Sequence, residues 1–208
     1  LAPLVVEPLV GYAPMIDPAT AKRFIKETGN RKVRADAIVK IGHPCLQISN
    51  EVSMMNQVVG KNMTEDMFKR SLENKVLRKF DTLKEVADFY KVDYAKMMAE
   101  IEKFNGYMKA MKDPECDCMF FKDSVPLEEN KGPFYVVRLW PRVHHCMGGL
   151  EINKDAQVLD ARHHPIPGLY AAGEVTGGVH GAVRLGTVAV ADCIIMGRTA
   201  ARHAAAQK

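Results

Sequence analysis

Residues 144–186 read HHCMGGLEINKDAQVLDARHHPIPGLYAAGEVTGGVHGAVRLG. Gly148, Gly149, Gly173, Gly177, Gly178, Gly181 and Gly186 fall there beside His144, His145, Glu174 and Arg184. Glycine lets main-chain N–H groups approach a ligand with no Cβ in the way, so a backbone folded close against something flat or charged is expected. A bound cofactor is the natural candidate. The order of parts is that of a nucleotide-binding edge: a strand over Gly168–Ala172, the acidic Glu174, a glycine-rich turn, then an Ala-rich helix from about Thr187 to Ala205. A carboxylate at a strand's end can accept hydrogen bonds from ribose or ribityl hydroxyls. The N-terminus of the following helix offers unpaired N–H groups to an electron-rich ring or a phosphate. The G-x-G-x-x-G turn that holds a pyrophosphate is absent from the sequence, so the stretch supplies half of a cofactor grip.

Upstream of the histidines, FYVVRLW at Phe134–Trp140 is a β-branched and aromatic strand, and composition changes at its end. A boundary near Pro141 is expected, with a mainly helical α+β unit over 1–141 and a strand–turn–helix unit over 142–208. Residues 1–30 mix short apolar runs with Pro and Gly and read as strands and turns. Arg31–Ile41 (RKVRADAIVKI) has helical spacing with Val33, Ala37, Ile38 and Ile41 on one face, which leaves Arg34 on the solvated side. Thr64 caps a helix running to about Asn74, and Val76–Phe80 reads as a short strand. Thr82-Leu-Lys-Glu85 is a capping box for a helix to Tyr90, and Asp93 caps the next, to about Met111. Lys112–Lys131 is a polar connection.

The chain has 208 residues, 47% apolar and 26% charged, the balance of an ordinary globular protein. Its formal net charge of +4 is dispersed, which argues against a nucleic-acid surface but leaves room for an anionic small molecule. No apolar run is long enough to cross a bilayer. A start at Leu1 instead of Met hints at processing or truncation, and the compartment is left open. Five cysteines form no even disulfide framework. Cys116-x-Cys118 and Cys146 beside the histidines raise the question of zinc, but the spacing fits no zinc framework and no metal site is assigned. His163 and His164, before a Pro-rich turn, are expected to be exposed. His180 in the glycine turn either orients the loop or faces the ligand, and the methionines are taken as core filler.

The runs HHCMGGLEIN, IPGLYAAGEVTGGVHGAVRLG and ADCIIMGRTA occur in an order and spacing similar to the C-terminal end of the FAD-dependent fumarate reductase and flavocytochrome c flavoproteins, a family that includes urocanate, methacrylate and aryl-acrylate reductases. The resemblance reaches the N-terminus, where VEPLVGYAPMIDPATAKRF followed by ETGNRKVRADAI resembles the family's strand pair and catalytic-arginine helix. It does not include the family's N-terminal half with the dinucleotide turn. The fold it implies is an α+β capping domain over 1–141 followed by the C-terminal part of an α/β Rossmann-like FAD-binding domain.

By that resemblance, His144 and Arg184 clamp a substrate carboxylate, Arg31 donates the proton and Glu7 relays it. His145, Gly148, Gly149, Gly173 and Glu174 contact FAD, together with the helix start at Gly186, Thr187 and Val188. Reducing a C=C bond beside a carboxylate needs a hydride at one carbon, from reduced flavin, and a proton at the next, and an Arg–His clamp stabilises the enolate-like charge that develops. Arginine, with a pKa above ~12, needs the relay to reprotonate it. The family's fumarate enzymes resemble one another in a Thr-Glu pair with an Arg three residues on, where this chain has Val6-Glu7 and Val10. An unpaired second carboxylate in a dry site costs ~2 to 5 kcal/mol, so an unsaturated monocarboxylate is expected over fumarate. Val183, Thr187 and Val188 replace the family's usual Asn, Gly and Asn. The implied partners are a small unsaturated carboxylic acid, a chain or segment supplying the dinucleotide-binding half, and an electron-donor module bearing haem, FMN or an NADH domain. The alternative from another class is a non-catalytic remnant or accessory subunit that needs a partner to hold FAD.

Overall fold

The computed structural model describes residues 9–207, which fall into two compact units divided after Pro141, called unit 1 and unit 2. Unit 1 is built on a five-stranded antiparallel sheet in the order β2-β1-β3-β5-β4, with β1 Met15–Asp17, β2 Lys22–Arg23, β3 Cys45–Asn50, β4 Leu77–Phe80 and β5 Phe134–Leu139. Side chains alternate across a strand, and here both faces are covered. Met15, Cys45, Tyr135, Val137 and Leu139 pack on one side against Ile38, Met54, Phe68 and Leu72 of α1 (Arg31–Ile41), α2 (Glu51–Gln57) and α3 (Glu65–Glu73). Ile16, Leu46, Ile48, Phe134 and Val136 pack on the other against Leu83, Val86, Met97 and Ile101 of α4 (Leu83–Tyr90) and α5 (Tyr94–Ala110).

All five α-helices among the described residues of unit 1 start on a side-chain cap. Asn30, Asn50, Thr64, Thr82 and Asp93 accept from the N–H of Lys32, Ser53, Met67, Glu85 and Lys96, each removing one of the orphan donors of a first turn. At Thr82 the return bond of the capping box lands one residue early, Glu85 Oε2 accepting from Asp81 N at 2.9 Å. The polar connection after α5 is pinned by a buried triad. Arg23 Nη2 lies 2.7 Å from Glu27 Oε2 and 2.7 Å from Asp113 Oδ2, Arg23 sits 4.8 Å over the Phe104 ring, and Asp113 accepts from the N–H of Glu115, Cys116 and Cys118.

Two expectations are corrected. Arg34 is buried at 7% exposure and Val33 is 54% exposed, because α1 turns the Arg34–Ile38 side of the helix to the sheet. The strand expected at Gly168–Ala172 is β7, Pro165–Tyr170, paired with the unforeseen β6, Gln157–Leu159; Gly168, at φ +75, lies within it. β3 and α2 were not legible at all. The rest of unit 2 is a 3-10 turn at Gly173–Val175 and the long helix α6, Val188–Ala206. No helix among the described residues is long and apolar enough to cross a membrane.

Candidate functional site

Two glycines set the geometry of unit 2. Leu150 N donates to Val175 O at 2.8 Å and Gly177 N to Leu150 O at 2.9 Å, so the segments about 147–150 and 175–178 run side by side through the parallel bridge Leu150–Thr176. A Cβ on Gly149 would lie 2.3 Å from Val175 O, and one on Gly177 would lie 2.6 Å from Gly149 N. Only glycine permits that approach, and it brings the residues flanking the two segments together.

The first consequence is a His145–Glu174 contact. Glu174 Oε2 stands 3.4 Å from His145 Nδ1, while Oε1 accepts from Cys146 N at 2.9 Å. The His145 side chain is 6% exposed and the Glu174 side chain 53%, so the carboxylate keeps lone pairs facing outward. The second is a line of side chains behind His145. The His180 ring stands edge-on to it, centroids 5.3 Å apart, and His180 Nε2 is 3.4 Å from Asp192 Oδ2 on α6. Asp192 is the residue the sequence reading missed; its signal is a lone carboxylate inside the apolar run VAVADCII. A buried carboxylate is costly unless paired, and His180 is the ionisable side chain the structure sets beside it.

Several buried polar atoms of this region have no hydrogen-bond partner: Nε2 of His145, Nε2 of His180, Nε of Arg184 and both oxygens of Asp192. Such atoms are exceptions in folded proteins, and water or a bound ligand can satisfy them. The start of α6 is uncapped as well. Thr187 occupies the N-cap position at φ +69 with no side-chain bond to the helix, and its hydroxyl turns back to Gly186 O at 2.6 Å.

The remaining expected residues are placed as follows. His144 is exposed and makes no hydrogen bond or ion pair among the described residues. Arg184 Nη1 donates to Leu185 O at 2.9 Å. Gly148 has open space where a Cβ would stand, and Gly173, at φ +79, backs onto Cys193 of α6. Val188 opens α6. Arg31 is the first residue of α1 in unit 1. Glu7 and Val6 lie outside the described residues. The thiol of Cys118 sits in a buried group with Glu27 and Asp113, ligand atoms within 4.8 Å of one another, but Arg23 already supplies the positive charge there. Burial pushes the Cys116 and Cys118 thiols up to about 11, which keeps them protonated and weakly nucleophilic at neutral pH.

A model described as FAD binding domain matches residues 11–190. The chain is 40% identical over 200 residues to the acrylate reductase flavoprotein subunit of Shewanella woodyi, covering 90% of this chain and 36% of that protein. It is 43% identical over 130 residues to the urocanate reductase of Eggerthella lenta, covering 62% of this chain and 21% of that protein. Among solved structures, the open conformation of a flavocytochrome c3 fumarate reductase superposes with a TM-score of 0.67 at 35% identity, over 95% of this chain and 33% of that one. The chain thus spans a minority of the length of each relative.

Proposed function

The chain belongs to the FAD binding domain family, with FAD as its cofactor, and on that premise we propose that it forms part of a flavoprotein reductase that saturates the C=C bond of an unsaturated carboxylate, with unit 1 as the capping domain and unit 2 as the C-terminal part of the FAD-binding domain. The observation that carries the proposal is the set of unsatisfied groups between His145 and Asp192, which fits the cofactor. Glu174 presents lone pairs to hydroxyls, the uncapped first turn of α6 presents N–H groups to an electron-rich ring, and the open face at Gly148 admits close approach.

When bound, FAD supplies the hydride. The chain's own residues supply the rest. His144 and Arg184 hold the substrate carboxylate, and the fixed guanidinium fork suits its planar pair of oxygens. As charge builds on that carboxylate in the transition state, the clamp is worth more than in the ground state. Arg31 gives the proton to the carbon beside the one that receives hydride, and Glu7 returns it. His145 and Glu174 orient the cofactor, and Asp192 steadies His180 behind them. The relatives named above act on acrylate and urocanate by their names. Val10 stands where the fumarate enzymes have an arginine, which favours an acid with one carboxylate. A partner chain or segment supplies the dinucleotide-binding half, and a redox module supplies electrons.

The test uses the full flavoprotein with its flavin reduced. Reoxidation by acrylate or a longer 2-enoate is expected to be faster than by fumarate. Arg31→Ala and Arg31→Lys are expected to lower that rate by roughly 10² to 10⁴ while FAD stays bound. Unchanged turnover in both variants would remove Arg31 from the reaction, and flavin that no enoate reoxidises would leave the accessory-subunit reading.

A further inference from the structure

Unit 1 carries a cavity of about 560 Å³ lined by none of the residues assigned to the reaction. It follows from where the helices stop. Leu46 pairs with Arg138 and Val136 with Arg78, so Leu46, Val136, Arg78 and Arg138 emerge on the sheet face that α4 and α5 cover. Val136 is packed beneath those helices. α4 closes at Tyr90, with Lys91 in the left-handed conformation at its end, and past that point Arg78 and Arg138 rise beside a hollow floored by Leu46 and Val76. Phe89 and Tyr90 line it too, as do the flexible cations Lys75 and Lys91.

Four cations around one hollow repel one another unless something negative lies between them. Among the described residues no carboxylate pairs with Lys75, Arg78, Lys91 or Arg138. The acid close to the cavity wall, Asp17, is committed: Oδ1 accepts from Ala19 N and faces His43 Nε2 at 3.3 Å, and Oδ2 accepts from the Thr20 hydroxyl. The end of α4 contributes only about −0.5 of a charge. Arg78 lies 4.6 Å over the Phe89 ring, which holds its guanidinium plane while leaving N–H edges to a ligand. Tyr90, Arg78 and Arg138 line the same hollow, and the two guanidinium groups oppose the rise that burial gives the Tyr90 phenol.

We propose that this cavity is a second ligand site, for a small polyanion carried on a flat ring, of which a nucleoside diphosphate is the fitting class. Phosphoryl oxygens meet Arg78 and Arg138, whose forks suit them, with Lys75 and Lys91 as point charges, and the ring lies against Phe89 and Tyr90. One carboxylate would leave most of the charge uncompensated, and the volume lies within the range of small-ligand sites, roughly 300 to 1,000 Å³.

The experiment is calorimetric titration of the full flavoprotein, saturated with FAD, with ADP and separately with inorganic pyrophosphate at low ionic strength. One ADP per chain is expected, bound at least about tenfold more weakly by the Arg78→Gln/Arg138→Gln variant and by the more exposed Lys75→Gln/Lys91→Gln variant. Phe89→Ala is expected to weaken ADP more than pyrophosphate, because it removes the stacking ring and loosens Arg78 for both. Thermal unfolding of each variant shows that the fold is kept. No ADP binding, or ADP binding that both charge variants retain, overturns the proposal, as does ADP binding no tighter than pyrophosphate. The readout is independent of enoate turnover, so it stands or falls apart from the proposed reaction.

Discussion

The two units solve the burial of polar groups differently. In unit 1 each of the five described α-helices begins on a side-chain cap and the buried Arg23 finds two carboxylates, although Arg23 Nη1, both Gln47 amide atoms, Ser53 Oγ and Glu129 Oε2 are buried without a hydrogen-bond partner. In unit 2 the one long helix starts uncapped on a strained Thr187, and all the unpartnered buried atoms lie between His145 and Asp192. Unit 2 also carries ten of the nineteen exposed large apolar side chains among the described residues, including Leu185, Val190, Ile194 and Ile195. A fold that leaves this much apolar surface open gains by binding something that covers it. Unit 1 caps its helices with its own side chains, whereas unit 2 leaves the start of its long helix uncapped and, in half the length, as much apolar surface uncovered.

That contrast can be broken most sharply in unit 1. Replacing Arg23 with Met leaves Glu27 and Asp113 buried beside each other without a cation, at a cost of about 3 to 5 kcal/mol in urea unfolding; a loss below about 1 kcal/mol would mean that the triad does not hold the 111–133 connection. The same site predicts an acid limb. Burial raises the Asp113 pKa, but the Arg23 guanidinium and the N–H groups of Cys116 and Cys118 outweigh it and hold the value below the ordinary carboxylate range. A depressed folded-state pKa gives stability that is complete above the unfolded value, near ~3.9, and is lost as pH falls through the folded one. Urea midpoints are therefore expected to fall below about pH 4 in the native chain, and that slope is expected to flatten in Arg23→Met.

In unit 2 the direction reverses, because a residue there is under strain. Thr187, β-branched at φ +69, holds a conformation that glycine takes freely, at a cost on the order of 1 to 3 kcal/mol. Thr187→Gly is expected to stabilise the full flavoprotein, less the unfolded-state entropy that glycine adds, and to raise its melting temperature. A lower melting temperature would show that the threonine side chain serves the start of α6. The smallest expected effect is in thiol chemistry. Cys146 and Cys193 are exposed whereas Cys45 and Cys118 are buried, and burial pushes the Cys45 and Cys118 thiols up to about 12 and about 11. Iodoacetamide at neutral pH should modify the first two well before the others, as read by peptide mass spectrometry; early labelling of Cys118 would contradict the closed packing of unit 1.

The sequence showed best what local chemistry decides. Thr64, Thr82 and Asp93 announced their helices because a capping oxygen and the N–H it satisfies are three residues apart. β3 was hidden although Leu46-Gln47-Ile48-Ser49 alternates apolar and polar residues, because the run is short and its polar side chains are buried instead of solvated. Arg34 misled because a guanidinium reads as solvated until the tertiary packing that buries it is known. In unit 2 the glycines and Glu174 were legible as a close backbone approach, and the structure supplies its form, two adjacent segments with no room for a Cβ. Asp192 was not legible because its partner, His180, comes near only when α6 folds back along the glycine turn.

Hydrogen–deuterium exchange on the full flavoprotein, stripped of FAD and then reloaded, tests most directly whether unit 2 is the unfinished half. Amides of 145–149, 174–178 and 187–190 should gain protection of roughly tenfold or more on loading, while those of β3 and β5 hold steady. Protection that rises in the unit 1 sheet, or fails to rise around His145 and the start of α6, would contradict it.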